Sequence, residues 1–113
     1  MNLPTVVMGA GVLRVLLRLG EVSRSMACEA VLDTDDFGTL LGVEVLAFAA
    51  QLGTVPPPTP PTGPVTWSYD AEMDAFYLRL SPGTAPMQRK ATARGLFDDR
   101  NQFVGLEVPL GGT

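Results

Sequence analysis

The chain has no histidine, one cysteine and a single lysine among its 113 residues. Without histidine, imidazole acid/base catalysis, Ser-His or Cys-His nucleophile activation and the commonest zinc ligand are all excluded. Cys28 cannot close an internal disulfide, and Ala27 and Glu29 beside it supply no activating base. It reads as a small residue packed in a strand, in keeping with a reducing compartment. Lys90 is the lone lysine, no basic run exists, and the net charge is −4. Nucleic-acid binding through phosphate contacts is therefore not expected. The apolar stretch from Leu3 to Leu13 has no positive charge before it and is too short to span a bilayer. It predicts two strands around a glycine turn. A cytoplasmic protein with no membrane association, no cofactor and no bound metal is the expectation.

What is present is a folded composition, 46% hydrophobic and 18% charged. Proline is concentrated: residues 54–64 read TVPPPTPPTGP, six prolines in eleven residues. Such a segment cannot donate ladder hydrogen bonds and predicts an extended linker. It separates a first module, 1–53, from a second, 65–113. Leu17-Arg18-Leu19 matches Leu78-Arg79-Leu80 at an offset of 61. Asp35-Asp36 matches Asp98-Asp99, and Gly42-Val43-Glu44-Val45 matches Gly105-Leu106-Glu107-Val108, both at an offset of 63. The pattern predicts a tandem repeat with a two-residue insertion near Ser81-Pro82-Gly83. Modules of this size have marginal cores alone, so they are expected to pack on each other.

Phe76, Leu78 and Leu80 alternate with Tyr77 and Arg79, as Val104, Leu106 and Val108 alternate with Gly105 and Glu107. A period of two is the strand signature. Gly38 and Asn101 fall at matching positions after paired aspartates, marking hairpin turns. Asp70 to Asp74 is a further tight turn, matched by Gly9-Ala10-Gly11. The alanine-rich run at 46–52, stopped by Gly53, predicts a short helix. The fold class is mainly β, or α+β if that helix forms. The expected architecture is two pseudo-symmetric small antiparallel sheets packed together.

The second module carries Tyr69-Asp70-x-Glu72-x-Asp74-Ala75-x-Tyr77-Leu78-x-Leu80, then Asp98-Asp99, then Gly105-Leu106-Glu107-Val108. This resembles the small bacterial domains grouped as domain-of-unknown-function family 2283. The first module matches only the later portion, with Val7-Met8 where Tyr-Asp would stand, and reads as a degenerate copy. The resemblance implies a compact antiparallel sheet, often followed by a helix. Some members of that family have been proposed as antitoxin-like partners of small toxin-like proteins.

Side-chain parity places Arg18 and Arg79, and Glu44 and Glu107, opposite their apolar neighbours. If their strands pair, each arginine meets a glutamate across the sheet, fixing register. With Tyr77, the same residues are the candidate polar floor for a ligand or partner. Asp33, Asp35 and Glu44 have partial calcium-loop spacing, but Phe37 stands where a ligand is needed, so a hairpin turn is the better reading. Asp70 and Asp74 bracket a turn and are read as turn residues rather than an acid/base pair. Trp67 and Tyr69 share a strand face, with Phe103 expected on the charged face; together they suggest a seam between modules. The expected function is a non-catalytic protein-binding module, antitoxin-like, whose partner is a small toxin-like protein or a second copy. The alternative is a small-molecule binder with a pocket between the repeats.

Overall fold

A computed structural model describes residues 4–58 and 65–110 of the chain. The first half forms β1 (Thr5–Gly9), β2 (Val12–Leu16), β3 (Arg24–Thr34), β4 (Leu40–Leu46) and the helix α1 (Phe48–Leu52). The second half forms β5 (Thr66–Asp70), β6 (Ala75–Arg79), β7 (Met87–Phe97) and β8 (Phe103–Pro109). The chain is mainly β. Leu13 and Val15, Phe76 and Leu78, and Leu106 and Val108 are buried at alternate positions of their strands, as the period of two demands. The short helix forms inside the 46–52 window, and Gly53 ends it at φ 74°.

The halves do not build two sheets packed face to face. They share one antiparallel sheet in the order β1-β2-β8-β7-β3-β4-β6-β5. The reason lies in β3 and β7, eleven residues each, which pair along their whole length from Arg24↔Phe97 to Thr34↔Met87. Two separate sheets would leave both of these long strands with an open edge. Joining them satisfies that row of amides and carbonyls.

Hairpins are exchanged between the halves. The β1–β2 hairpin pairs with β8 of the second half, and the β5–β6 hairpin pairs with β4 of the first. Replacing β1–β4 by β5–β8, and the reverse, returns the same strand order read from the other edge. Registers repeat as well: Leu16↔Gly105 corresponds to Gly42↔Arg79, an offset of 63 on each strand. Thr5↔Leu16 corresponds to Thr66↔Arg79, an offset of 61 for β1 and β5. The two-residue difference therefore lies in the first hairpin loop, not near Ser81-Pro82-Gly83. Arg79 has Leu16 as its counterpart, and Arg18 falls in a bend beyond β2.

The buried side chains gather on one face of the sheet, which curls around them. At five residues α1 is too short to hold itself together in water. It is held by Phe48 and Leu52, both buried. Phe48 meets the rings of Phe76 and Phe103 at centroid distances of 5.0 and 5.1 Å. Phe103 is thus a core residue, 1% exposed, and not part of the charged face. A register shift beside Phe97 in the β7–β8 ladder turns it inward. The linker is anchored where it begins: Pro56 and Pro57 are buried, and the Pro57 carbonyl accepts the Trp67 indole N–H at 2.7 Å. Its residues 59–64 lie outside the described residues.

Gly105 on β8 lies tight against β2 of the other half. A Cβ there would stand 2.1 Å from the Val15 carbonyl oxygen on β2, backbone that cannot rotate away. Gly9, by contrast, has open space around it. Gly105→Ala is expected to destabilise the chain by about 1–3 kcal/mol, the usual cost of overpacking. Gly9→Ala should shift stability by less than about 0.5 kcal/mol. Urea unfolding of the two variants tests this, and equal midpoints would contradict the hairpin exchange.

Candidate functional site

The exposed face of the sheet carries the polar residues expected from sequence, but sorts them differently. Arg18 and Glu44 do not meet, because β2 lies beside β1 and β8 while β4 lies between β3 and β6. Arg79 and Glu107 are separated by the three intervening strands β7, β3 and β4. Glu107 is instead paired with Arg14, directly across the β2–β8 ladder, whose Nη2 and Nε donate at 2.9 and 3.2 Å. Parity in β2 was sufficient to place Arg14 on this face. The partner strand, coming from the other half, was not visible in the alternation.

Glu44 lies opposite Tyr77 in the β4–β6 ladder. The Tyr77 ring lies over Gly42, where a Cβ would come within 2.2 Å of its hydroxyl. That glycine lets the tyrosine reach across β4 towards Asp33 on β3. Burial raises the Tyr77 hydroxyl above its ordinary pKa, the negative charges of Asp33 and Glu44 add to this, and Arg79 opposes it. Asp33 is buried and accepts a hydrogen bond from the Gln88 amide at 2.9 Å. Tyr77, Glu44 and Arg79 thus come together with Asp33, and Gln88 joins them. Glu107 and Arg18 do not.

The calcium-loop spacing dissolves in three dimensions. Asp35 Oδ1 accepts the amides of Phe37 and Thr39, both at 2.9 Å, and closes its own turn. Asp98 does the same for Arg100 and Gln102. Among the described residues no three His, Cys, Asp or Glu side chains are grouped to hold a metal ion. Asp70 likewise serves its turn, accepting from the amides of Glu72 and Met73.

Asp74 has a larger task than its turn. Its carboxylate accepts the amide protons of Ala49 and Ala50 at 2.8 and 3.1 Å, and its carbonyl accepts that of Phe48 at 3.0 Å. These are the unpaired donors at the start of α1. The Tyr69 hydroxyl donates to the same carboxylate at 2.5 Å. The Tyr69…Asp74 pair of the second module therefore caps the helix of the first. The Tyr69 hydrogen bond, then the Ala49 amide, hold the Asp74 carboxyl below its ordinary pKa.

A concavity lies on the core face, at the end of the sheet away from α1. It has a volume of about 590 Å³, inside the ~300–1,000 Å³ range of ligand and anchor pockets. Its wall is mainly aliphatic, with Val6, Met8, Leu13, Leu32, Leu40 and Leu80 contributed by both halves. Arg89 of β7 is its one charged residue, opposite Leu32 in the β3–β7 ladder. No carboxylate is ion-paired with Arg89 among the described residues. Val6 and Met8 are 42% and 69% exposed on β1, the edge strand. The run Met87-Gln88-Arg89-Lys90 shows no alternation, so neither Arg89 nor the lining of a pocket between the halves could be read from sequence.

No protein family, curated protein or solved structure matches this chain. Among the described residues, no helix is long and apolar enough to cross a membrane.

Asp74→Ala is expected to destabilise the chain in a pH-dependent way. With its folded pKa depressed, the carboxylate contributes stability that is fully present above about pH 4, the unfolded value. That contribution is lost as the pH falls through the lower folded value. The gap in melting temperature between wild type and variant should be constant near neutrality and shrink in acid. A gap unchanged down to pH ~2.5 would show that the carboxylate does not cap α1 as an anion.

Proposed function

We propose that this chain is a non-catalytic binding protein whose partner is another protein, taken up at the open end of the curled sheet. The observation that carries the reading is the cavity of about 590 Å³, walled by aliphatic side chains and opening beside exposed Val6 and Met8. Apolar surface of this kind, next to an unpaired edge strand, is what a partner's anchor side chains cover. The polar cluster around Tyr77 supports the reading from the other side. Asp33 is hydrogen-bonded to Gln88, and Glu107 is held by Arg14. Asp33 and Glu107 are thus engaged within the sheet, while Glu44 lines a shallower concavity on this face with Gln51 and Lys90. The resemblance to domain-of-unknown-function family 2283 agrees with an antitoxin-like role for the pair of modules.

Affinity capture from host lysate with a matched set of variants tests the proposal. Wild type is expected to retain a stoichiometric protein partner, and Met8→Glu at the cavity rim to lose it. Met73→Glu, at an equally exposed position in the β5–β6 turn (73%), should retain it. Retention by Met8→Glu, or capture of no protein by wild type, would overturn the reading. A thermal shift with small amphiphiles in the latter case would point to the cavity as a small-molecule site.

A further inference from the structure

The cavity corresponds, residue for residue, to the place where α1 is seated at the other end of the sheet. At the offset of 63, Leu13, Leu32 and Leu40 correspond to Phe76, Gly95 and Phe103; at 61, Val6 and Met8 correspond to Trp67 and Tyr69. Four of these counterparts, Tyr69, Phe76, Gly95 and Phe103, are what α1 packs on. Phe48 touches the rings of Tyr69, Phe76 and Phe103, and Leu52 lies over Gly95, within 2.9 Å of where its Cβ would be. Where the chain leaves β8, Leu110, the counterpart of Ala47 at the offset of 63, donates to the Gly11 carbonyl at 2.8 Å; after β4 it is Phe48, one position later, that donates to the Asp74 carbonyl at 3.0 Å.

We infer that the cavity is a helix-docking groove whose occupant is a short amphipathic helix of the partner protein, with an aromatic residue four positions ahead of a leucine. This deepens the proposed protein-binding function and rests on it. Three differences between the two ends specify the occupant's chemistry. The filled end is lined by Trp67, Tyr69, Phe76, Phe97 and Phe103, while the open end offers Val6, Met8, Leu13, Thr34 and Leu40 at the same places. The occupant must therefore bring the aromatic bulk itself. Asp74, which caps α1, corresponds to Gly11, so the occupant needs its own N-cap serine or aspartate. Met26, the strand partner of Gly95 beneath Leu52, corresponds to Arg89, the strand partner of Leu32. Arg89 thus stands at the C-terminal end of a helix seated like α1. A cation is favourable there, and more so beside an acidic residue in the last turn.

The test uses the full chain and a stapled helical peptide with an N-cap serine, the α1 sequence with tryptophan at the Phe48 position, and a closing glutamate. Saturable binding by fluorescence anisotropy, with NMR shifts at the methyls of Leu13, Leu32 and Leu40, is expected. Arg89→Glu should weaken binding about threefold, the scale of one charge at a helix terminus, and a peptide closing in lysine should recover it. Binding that ignores this charge exchange, or shifts confined to Glu44 and Lys90 on the opposite face, would overturn the inference. So would decanoate saturating the cavity while the peptide fails to bind. If the peptide fails but wild type still captures a host protein that Met8→Glu loses, the helical occupant is wrong and the protein-binding reading stands. If neither binds, both fall.

Discussion

The pairing of β3 with β7 is the constraint on which the rest of the molecule depends. Eleven residues of each strand run side by side at the centre of the sheet, and every other strand is placed outward from them. Once they are joined, β4 and β8 occupy the two outer flanks of the central pair. Each then takes the neighbouring hairpin from the opposite half. Neither half keeps its own first hairpin against its own remaining strands. The core is consequently common property, with Phe48 of the first half packed among Tyr69, Phe76 and Phe103 of the second. Cooperativity between two small modules follows from the shared ladder, since an isolated half would expose the faces that the exchange covers.

The same exchange explains what conspicuous residues are for. Asp70 and Asp74 read as turn residues in the sequence, and in the fold Asp74, joined by Tyr69, also secures the first turn of α1. Gly42 and Gly105 sit at matching positions for different physical reasons. Gly42 makes way for a tyrosine ring lying across its strand, and Gly105 for the β2 backbone itself. Asp35 and Asp98 each close a turn through one carboxylate oxygen. Asp35, Asp70, Asp74 and Asp98 are thus engaged with backbone amides.

Strand identity was legible because alternation at Phe76, Leu78, Leu106 and Val108 reports directly on a half-buried sheet. The helix was legible from its alanines and its glycine stop, and the hairpin turns from paired aspartates. Strand neighbours were not legible, because parity says which face a side chain takes but not which strand lies beside it. Hence Arg18 and Arg79 were matched with the wrong glutamates, while Arg14, the true partner of Glu107, stood four residues earlier. The repeat alignment misplaced its gap for a related reason. Leu-Arg-Leu recurs at both sites, yet the ladder equates Arg79 with Leu16, and only register could reveal that. A pocket between the halves was conceivable from the repeat, but its lining was not legible, since it arises from the space between elements rather than from any motif.

The asymmetry between the two ends of the sheet comes from a small local difference. The β1–β2 loop turns through Ala10 and Gly11, and the β5–β6 loop turns through Ala71 to Asp74, two residues more. Those extra residues place Asp74 at φ 52°, with its carboxylate facing the start of α1. The shorter loop leaves Gly11 at the corresponding point, with a carbonyl to offer but no carboxylate. One end of the sheet therefore offers the helix that follows β4 a capping carboxylate, and the other offers the chain leaving β8 a carbonyl alone. Two residues in a hairpin loop are enough to make that difference, because they decide whether a side chain that accepts amide protons stands at the point where the next segment begins.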